Sequence, residues 1–168
     1  MNTRLICFPP VFDGACRLLI LGSFPGLASL KAQQYYAHPR NQFWPILGRV
    51  LGEELAALPY AQRLPRLLAH GVGVWDVYAA CQREGSLDAD IKQGQANDFA
   101  ALQRQAPHLR AAFFNGREAG RFAPQLQALG WHTAILPSTS PAHAGMSFEN
   151  KLQAWRSAFA ALPDRENT

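Results

Sequence analysis

Two long stretches of the chain contain no carboxylate side chain: residues 14–52 and 119–148 hold neither aspartate nor glutamate. The first carries Arg17, Lys31, Arg40 and Arg49, and the second Arg121, His132 and His143. In a chain with 12 acidic residues out of 168, such gaps arise by chance as readily as by function, and their functional reading is two neutral-to-positive loops facing phosphates. No apolar run approaches the roughly 18 residues needed to cross a bilayer. The opening MNTRLICFPPVFDG also lacks the apolar region of a signal peptide, so a cytoplasmic protein without membrane contact is expected. Cys7, Cys16 and Cys81 form no CxxC pair, which argues against a zinc or iron–sulfur site and for reduced, mostly buried thiols. The histidines, His38, His70, His108, His132 and His143, are scattered without i, i+4 pairing, so no metal is expected. Neither GxGxxG nor GK[ST] occurs, and no cofactor is expected.

What is present reads as one globular domain, residues 1–168 with a core over about 17–162, since 48% of the chain is hydrophobic and 17% charged. The formal charge of +4 and pI near 9.3 permit a polyanionic partner without requiring one. Apolar or β-branched runs predict strands over residues 17–21, 72–78, 111–115 and 132–136. Between them lie segments of helical periodicity at 43–51, 60–69, 98–105 with Asn97 as N-cap, 117–129, and finally 149–162. Strands separated by helices imply an α/β fold, a three-layer α/β/α sandwich around a central, mostly parallel four-stranded sheet. Only residues 1–13 and 164–168 read as loosely held.

In such folds ligands collect beyond the carboxyl ends of the strands. Four groups of polar residues fall there: Gly22 to Gly26, Asp76, Asn115 with Gly116, and the loop PSTSPAHAG that follows residue 136. Gly22-x-x-x-Gly26 on its own is a weak phosphate cradle. Ser138, Ser140 and His143 invite a serine hydrolase reading, but no GxSxG elbow accompanies them.

Three motifs carry more. GSFPGLAS, then YYAHPRNQFW, then LPSTSPAH occur in an order that resembles the uracil-DNA glycosylase superfamily. The likeness spans about residues 17–162, and AHPRNQFW is its most specific part. Within that superfamily the mismatch-specific branch shares the Gly-x-x-Pro-Gly and Ala-His-Pro-x-Asn-x-Phe-Trp patterns, and the hypoxanthine-DNA (deoxyinosine) branch is the most similar. The resemblance implies a monomeric, monofunctional enzyme that hydrolyses the N-glycosidic bond of a flipped-out deaminated base in DNA. Where uracil-removing relatives carry an Asn or Asp that handles water this chain has Phe24, and where they carry a catalytic histidine it has Ser138.

The resemblance therefore gives the water to Asn41, through its amide oxygen, although Asn41 could equally cap the helix beginning at Phe43. Tyr36 and Phe24 would stack on the base or belong to the core. Asp76 would accept N1–H of hypoxanthine, which adenine lacks, or bind a neighbouring loop. Asn115 would touch the base or turn the chain. DNA contacts would come from Ser23, His38, Arg40, Ser138 and Ser140, with His143 or Met146 as the residue inserted into the helix. Two rival readings keep the residues: uracil or xanthine as substrate, or a DNA-binding module without catalysis.

Overall fold

The computed structural model describes residues 4–163. Every residue of β2 (Leu18–Gly22) is buried, because this strand is sandwiched between two layers of helices. Its side chains alternate: Leu18 and Ile20 enter one core and Leu19 and Leu21 the other. That double burial explains why the run reads as continuously apolar. Before it stands β1 (Leu5–Ile6) and after it the short α1 (Leu27–Ala32).

The chain continues through α2 (Phe43–Leu51) and α3 (Tyr60–Ala69) to β3 (Val72–Asp76), β4 (Tyr78–Gln82) and β5 (Lys92–Ala96). It ends with α4 (Phe99–Gln105), β6 (Ala111–Asn115), α5 (Arg117–Gly120), α6 (Ala123–Ala128), β7 (His132–Leu136) and α7 (Phe148–Ala160). The central sheet has the order β3-β2-β6-β7 with all neighbours parallel. One core holds Phe43, Leu47, Leu67 and Trp155 from α2, α3 and α7; the other holds Phe99, Leu102 and Leu126 from α4 and α6. Each of these seven side chains is at most 3% exposed, and burial of each contributes about 1.5–3 kcal/mol. The expected three-layer α/β/α arrangement is what forms.

Four local expectations are corrected. Residues 72–78 do not form one strand: β3 stops at Asp76, and Tyr78 begins β4 in a separate antiparallel sheet of order β1-β4-β5. The N-terminal segment is not loose over residues 5–11, because Leu5 and Ile6 pair with Cys81 and Ala80, and Val11 bridges Val74; residues 1–3 and 164–168 lie outside the described residues. The helix expected over 117–129 is broken into α5 and α6, with Pro124 opening the second where its missing N–H costs nothing. Asp98, not Asn97, caps α4, accepting from Ala101 N at 2.9 Å. The Asn97 amide instead donates to the backbone oxygen of Asp76 at 2.7 Å, fixing the end of β3.

The chain passes from β2 to β3 on one side of it and later crosses over to β6 on the other, so the direction of sheet growth reverses at β2. The crevice this opens at the carboxyl ends of the strands is the expected ligand position in a sheet of this kind.

Candidate active site

A cleft of about 860 Å³ occupies that crevice, and the last residues of all four parallel strands, Gly22, Asp76, Asn115 and Leu136, line it. Tyr36, His38 and Asn41 close one side, and the loop after β7 closes another. The third wall, which the sequence did not reveal, comes from the connection between β4 and β5 with Ser86, Leu87 and Asp88.

At the centre is a chain of hydrogen bonds through Thr139, which is fully buried. Asn115 Nδ2 donates to Thr139 Oγ1 at 2.9 Å, and Asn115 Oδ1 accepts from Thr139 N at 3.0 Å. The threonine hydroxyl then donates to Asn41 Oδ1 at 2.8 Å, and the same oxygen accepts from Phe43 N at 2.9 Å. A backbone N–H can only donate, so the orientation of the Asn41 amide is fixed with oxygen toward Phe43. Both of its lone-pair directions are engaged, and the Nδ2 hydrogens are what Asn41 has left to offer. The expectation that the Asn41 oxygen handles water is corrected: that oxygen organises the start of α2 and is taken up by Phe43 and Thr139, although the side chain does line the cleft. Asn115 likewise joins the strand end to the loop after β7, rather than only turning the chain. Thr139 was missed because nothing in STSP separates it from the serines beside it; the available signal was a β-branched hydroxyl just beyond a strand that neighbours a strand-end asparagine.

Asp76 and Tyr36 form the floor. A Cβ placed on Gly22 would lie 2.7 Å from Asp76 Oδ1 and 2.9 Å from Tyr36 Oη, so both side chains close over the bare glycine. Asp76 Oδ2 and Tyr36 Oη are buried and have no hydrogen-bond partner. Orphaned polar atoms of this kind are rare in folded proteins, and at a cleft floor they are the groups a ligand satisfies. Tyr36 also adopts a left-handed backbone, φ 55°, a conformation costing about 1–3 kcal/mol in a non-glycine residue. It is held there by stacking on Phe43, with ring centroids 3.9 Å apart and planes 18° from parallel. Phe24 lines the cleft and belongs to the core as well, with the Arg83 guanidinium 5.3 Å above its ring.

Burial pushes the Asp76 carboxyl up to about 7; the Asp88 carboxylate adds to the rise and Arg83 opposes it. A group whose native pKa exceeds its unfolded value binds more protons when folded, so stability falls as pH rises from about 4 to about 7 and is level above that. Asp76→Asn is thus expected to be more stable than wild type by a few kcal/mol at about pH 8, with the difference gone near pH 4, as thermal melts across that range will register.

The remaining candidates divide. His38 Nδ1 accepts from Arg40 N at 3.0 Å, which leaves Nε2 as its N–H, and the Arg40 side chain is exposed. Ser138 Oγ accepts from Ser140 N at 3.1 Å and Ser140 Oγ from Ala142 N at 3.2 Å, so each hydroxyl hydrogen is left to donate. His143 is exposed at the cleft mouth and Met146 half-buried beside it. Buried Lys151 of α7 donates to the His143 carbonyl at 2.7 Å and ties down this loop. Ser23 stands apart: its hydroxyl donates to Asp88 Oδ1 at 2.5 Å, so its partner is a carboxylate and not a phosphate. The carboxylates absent from residues 14–52 reappear in the cleft from other segments, as Asp76, Asp88 and Glu118. Depth and rim therefore differ in chemistry.

A sequence profile of the uracil DNA glycosylase superfamily matches residues 9–162. The chain belongs to this superfamily. A Methanosarcina barkeri protein named hypoxanthine DNA glycosylase is 43% identical over 152 residues, covering 90% of this chain and 96% of that protein. The Methanosarcina acetivorans protein of the same name is 41% identical with the same coverage. A solution NMR structure from Methanosarcina acetivorans, described as a candidate uracil DNA glycosylase, superposes with a TM-score of 0.85 at 40% identity, over 94% of this chain and 97% of that one. No helix among the described residues is long and apolar enough to cross a membrane. In this superfamily member the strand-end cleft is the place to seek chemistry.

Proposed function

We propose that the protein is a DNA glycosylase that hydrolyses the N-glycosidic bond of a flipped-out hypoxanthine and leaves an abasic site. The observation that carries this reading is the pair of unpartnered oxygens on Asp76 and Tyr36, at the floor of a cleft whose rim has hydroxyl and N–H donors. Two relatives above 40% identity bear the name hypoxanthine DNA glycosylase, which supports hypoxanthine over uracil.

The residues suit each step. Extruding a nucleotide costs a few kcal/mol of stacking and pairing, least for a mispaired base. Tyr36, backed by Phe43, offers an aromatic face to offset that cost. A carboxyl oxygen of Asp76 accepts N1–H of the base, a hydrogen that adenine lacks. As the glycosidic bond stretches, positive charge grows on the sugar and negative charge on the base. Asn41 acts by position: its Nδ2–H holds the attacking water against a sugar that is already oxocarbenium-like and needs no strong base. Asn115 and Thr139 keep that amide in place. No lysine lines the cleft among the described residues, in keeping with hydrolysis by water instead of an imine with the sugar.

His38, Arg40, Ser138 and Ser140 supply donors for the DNA backbone, and His143 or Met146 fills the space the base vacates. With Arg40 the one permanent cation among these residues, log affinity should fall shallowly against log salt, with a slope of about −1; a flat response would remove the Arg40 contact assigned to this rim.

Duplexes carrying one deoxyinosine, deoxyxanthosine or deoxyuridine, treated with protein and then alkali, test the reading. The deoxyinosine strand is expected to break fastest, and only after alkali. Faster breakage at deoxyuridine would transfer the assignment to uracil, and binding without breakage at any of the three would leave a DNA-binding module.

A further inference from the structure

Asp76 ends β3 with only 3% of its surface exposed, and Oδ2 is closed off from solvent without a donor. The one amide that reaches this residue, from Asn97, goes to its backbone oxygen and does nothing for the carboxyl. The groups around it do not favour charge. Tyr35, Tyr36 and Cys7 approach from the segments before α2 and after β1, and each is itself disfavoured as an anion by burial. Asp88 brings like charge from the turn before β5. Arg83 brings opposite charge from beyond β4, but its guanidinium donates to the carbonyl oxygens of Pro25 and Gly85. A carboxyl so placed is retained as an acid, in the manner of catalytic acids held neutral in apolar sites.

We propose that Asp76 enters the reaction as the neutral carboxylic acid, donating its O–H to O6 of the flipped hypoxanthine while its other oxygen accepts N1–H. The inference rests on the excision of hypoxanthine argued above and changes the role of Asp76 from reader to catalytic acid. An ionised carboxylate would meet O6 with repulsion; the acid meets the N1–H and O6 edge with two hydrogen bonds. As the N9–C1′ bond breaks, its electron pair enters the purine and negative charge accumulates on O6. The Asp76 proton moves to O6, and the base leaves as the neutral hydroxy tautomer. Water adds to C1′ and gives its proton to solvent, from which the Asp76 carboxylate is reprotonated. The net reaction consumes one water and yields free hypoxanthine and an abasic site.

Single-turnover excision from a deoxyinosine duplex, followed between about pH 5.5 and 8, tests the proposal against the carboxylate alternative. The wild-type rate should be level at the acid end and fall as pH rises past neutrality. Asp76→Asn keeps a donor and an acceptor in the same places but neither titrates nor gives up a proton, so its rate at about pH 6 should fall about 10- to 10²-fold below wild type, stay above that of Asp76→Ala, and lack the alkaline fall. Asp76→Ala should lose about 10²–10³-fold, the usual effect of deleting a donor to developing negative charge. A wild-type rate that rises through neutrality, or Asp76→Asn as slow as Asp76→Ala, overturns the proposal. Should the asparagine variant fail to fold, the infrared carbonyl band of a protonated carboxylic acid in the wild-type protein at about pH 6 carries the test, and its absence is equally fatal. If wild type releases no hypoxanthine at any pH, the parent reading fails, while the infrared band still reports the state of Asp76.

Discussion

Asn41→Ala is expected to slow single-turnover release of hypoxanthine by about 10²–10³-fold while leaving affinity for an undamaged duplex within about twofold. The asymmetry follows from where Asn41 stands. Its oxygen is held by Phe43 N and Thr139 Oγ1, and the side chain lines the cleft next to His38 without being one of the exposed cations that meet phosphate. Truncation strips the Thr139 hydroxyl of its acceptor inside a fully buried site, so a loss of about 1–3 kcal/mol in stability accompanies the kinetic loss. Asn41→Asp separates the two contributions. It retains an acceptor for Phe43 and Thr139 but has no N–H to hold water, and it should restore the melting temperature without restoring the rate. Recovery of rate in the aspartate variant would move the catalytic role from the amide nitrogen to the oxygen.

Gly22→Ala should be nearly as damaging through a different route. The added methyl would sit 2.7 Å from Asp76 Oδ1 and 2.9 Å from Tyr36 Oη, closer than carbon and oxygen approach without displacement. Neither neighbour yields easily, since Asp76 is fixed by β3 pairing and Asn97, and Tyr36 by its stack on Phe43. A misplacement of about 1 Å in positioning groups commonly costs about 10²-fold in rate, and that loss is expected on every base the enzyme accepts. Nonspecific duplex binding, which uses the rim, should be preserved. An alanine variant with wild-type kinetics would mean that Asp76 and Tyr36 do not contact the base.

Much of this architecture was legible because the physics behind it is local. Residues 18–22 and 111–115 are short apolar runs ending at glycine, as strands covered on both faces must be, and 132–136, the partly exposed edge strand, is marked by the proline that follows it. The β4–β5 hairpin was not legible for the opposite reason. Its second strand, KQGQA, is exposed throughout and is held by backbone pairing, so no apolar alternation marks it. That omission hid one wall of the cleft and the carboxylates it brings. Asn97 and Asp98 are both good caps, and only the need to satisfy the buried carbonyl of Asp76 decides between them.

Site residues were readable where a motif set them in order and unreadable where the fold alone assembles them. Tyr36, Asn41, Asp76 and Asn115 were all singled out, and all four line one cleft. Thr139, which joins two of them, contacts Asn41 across 98 positions of sequence, a separation no local pattern encodes. Ser23 was expected to contact DNA, and its direction toward Asp88 became apparent only with the missing wall in place.

The central claim is that this cleft releases an intact base by hydrolysis. Mass spectrometry of the products from a deoxyinosine duplex tests it most directly. One equivalent of free hypoxanthine for each abasic site formed is the predicted result, with both products reduced together in Asn41→Ala. Strand breakage without free hypoxanthine, or hypoxanthine release at the wild-type rate from Asn41→Ala, would contradict it.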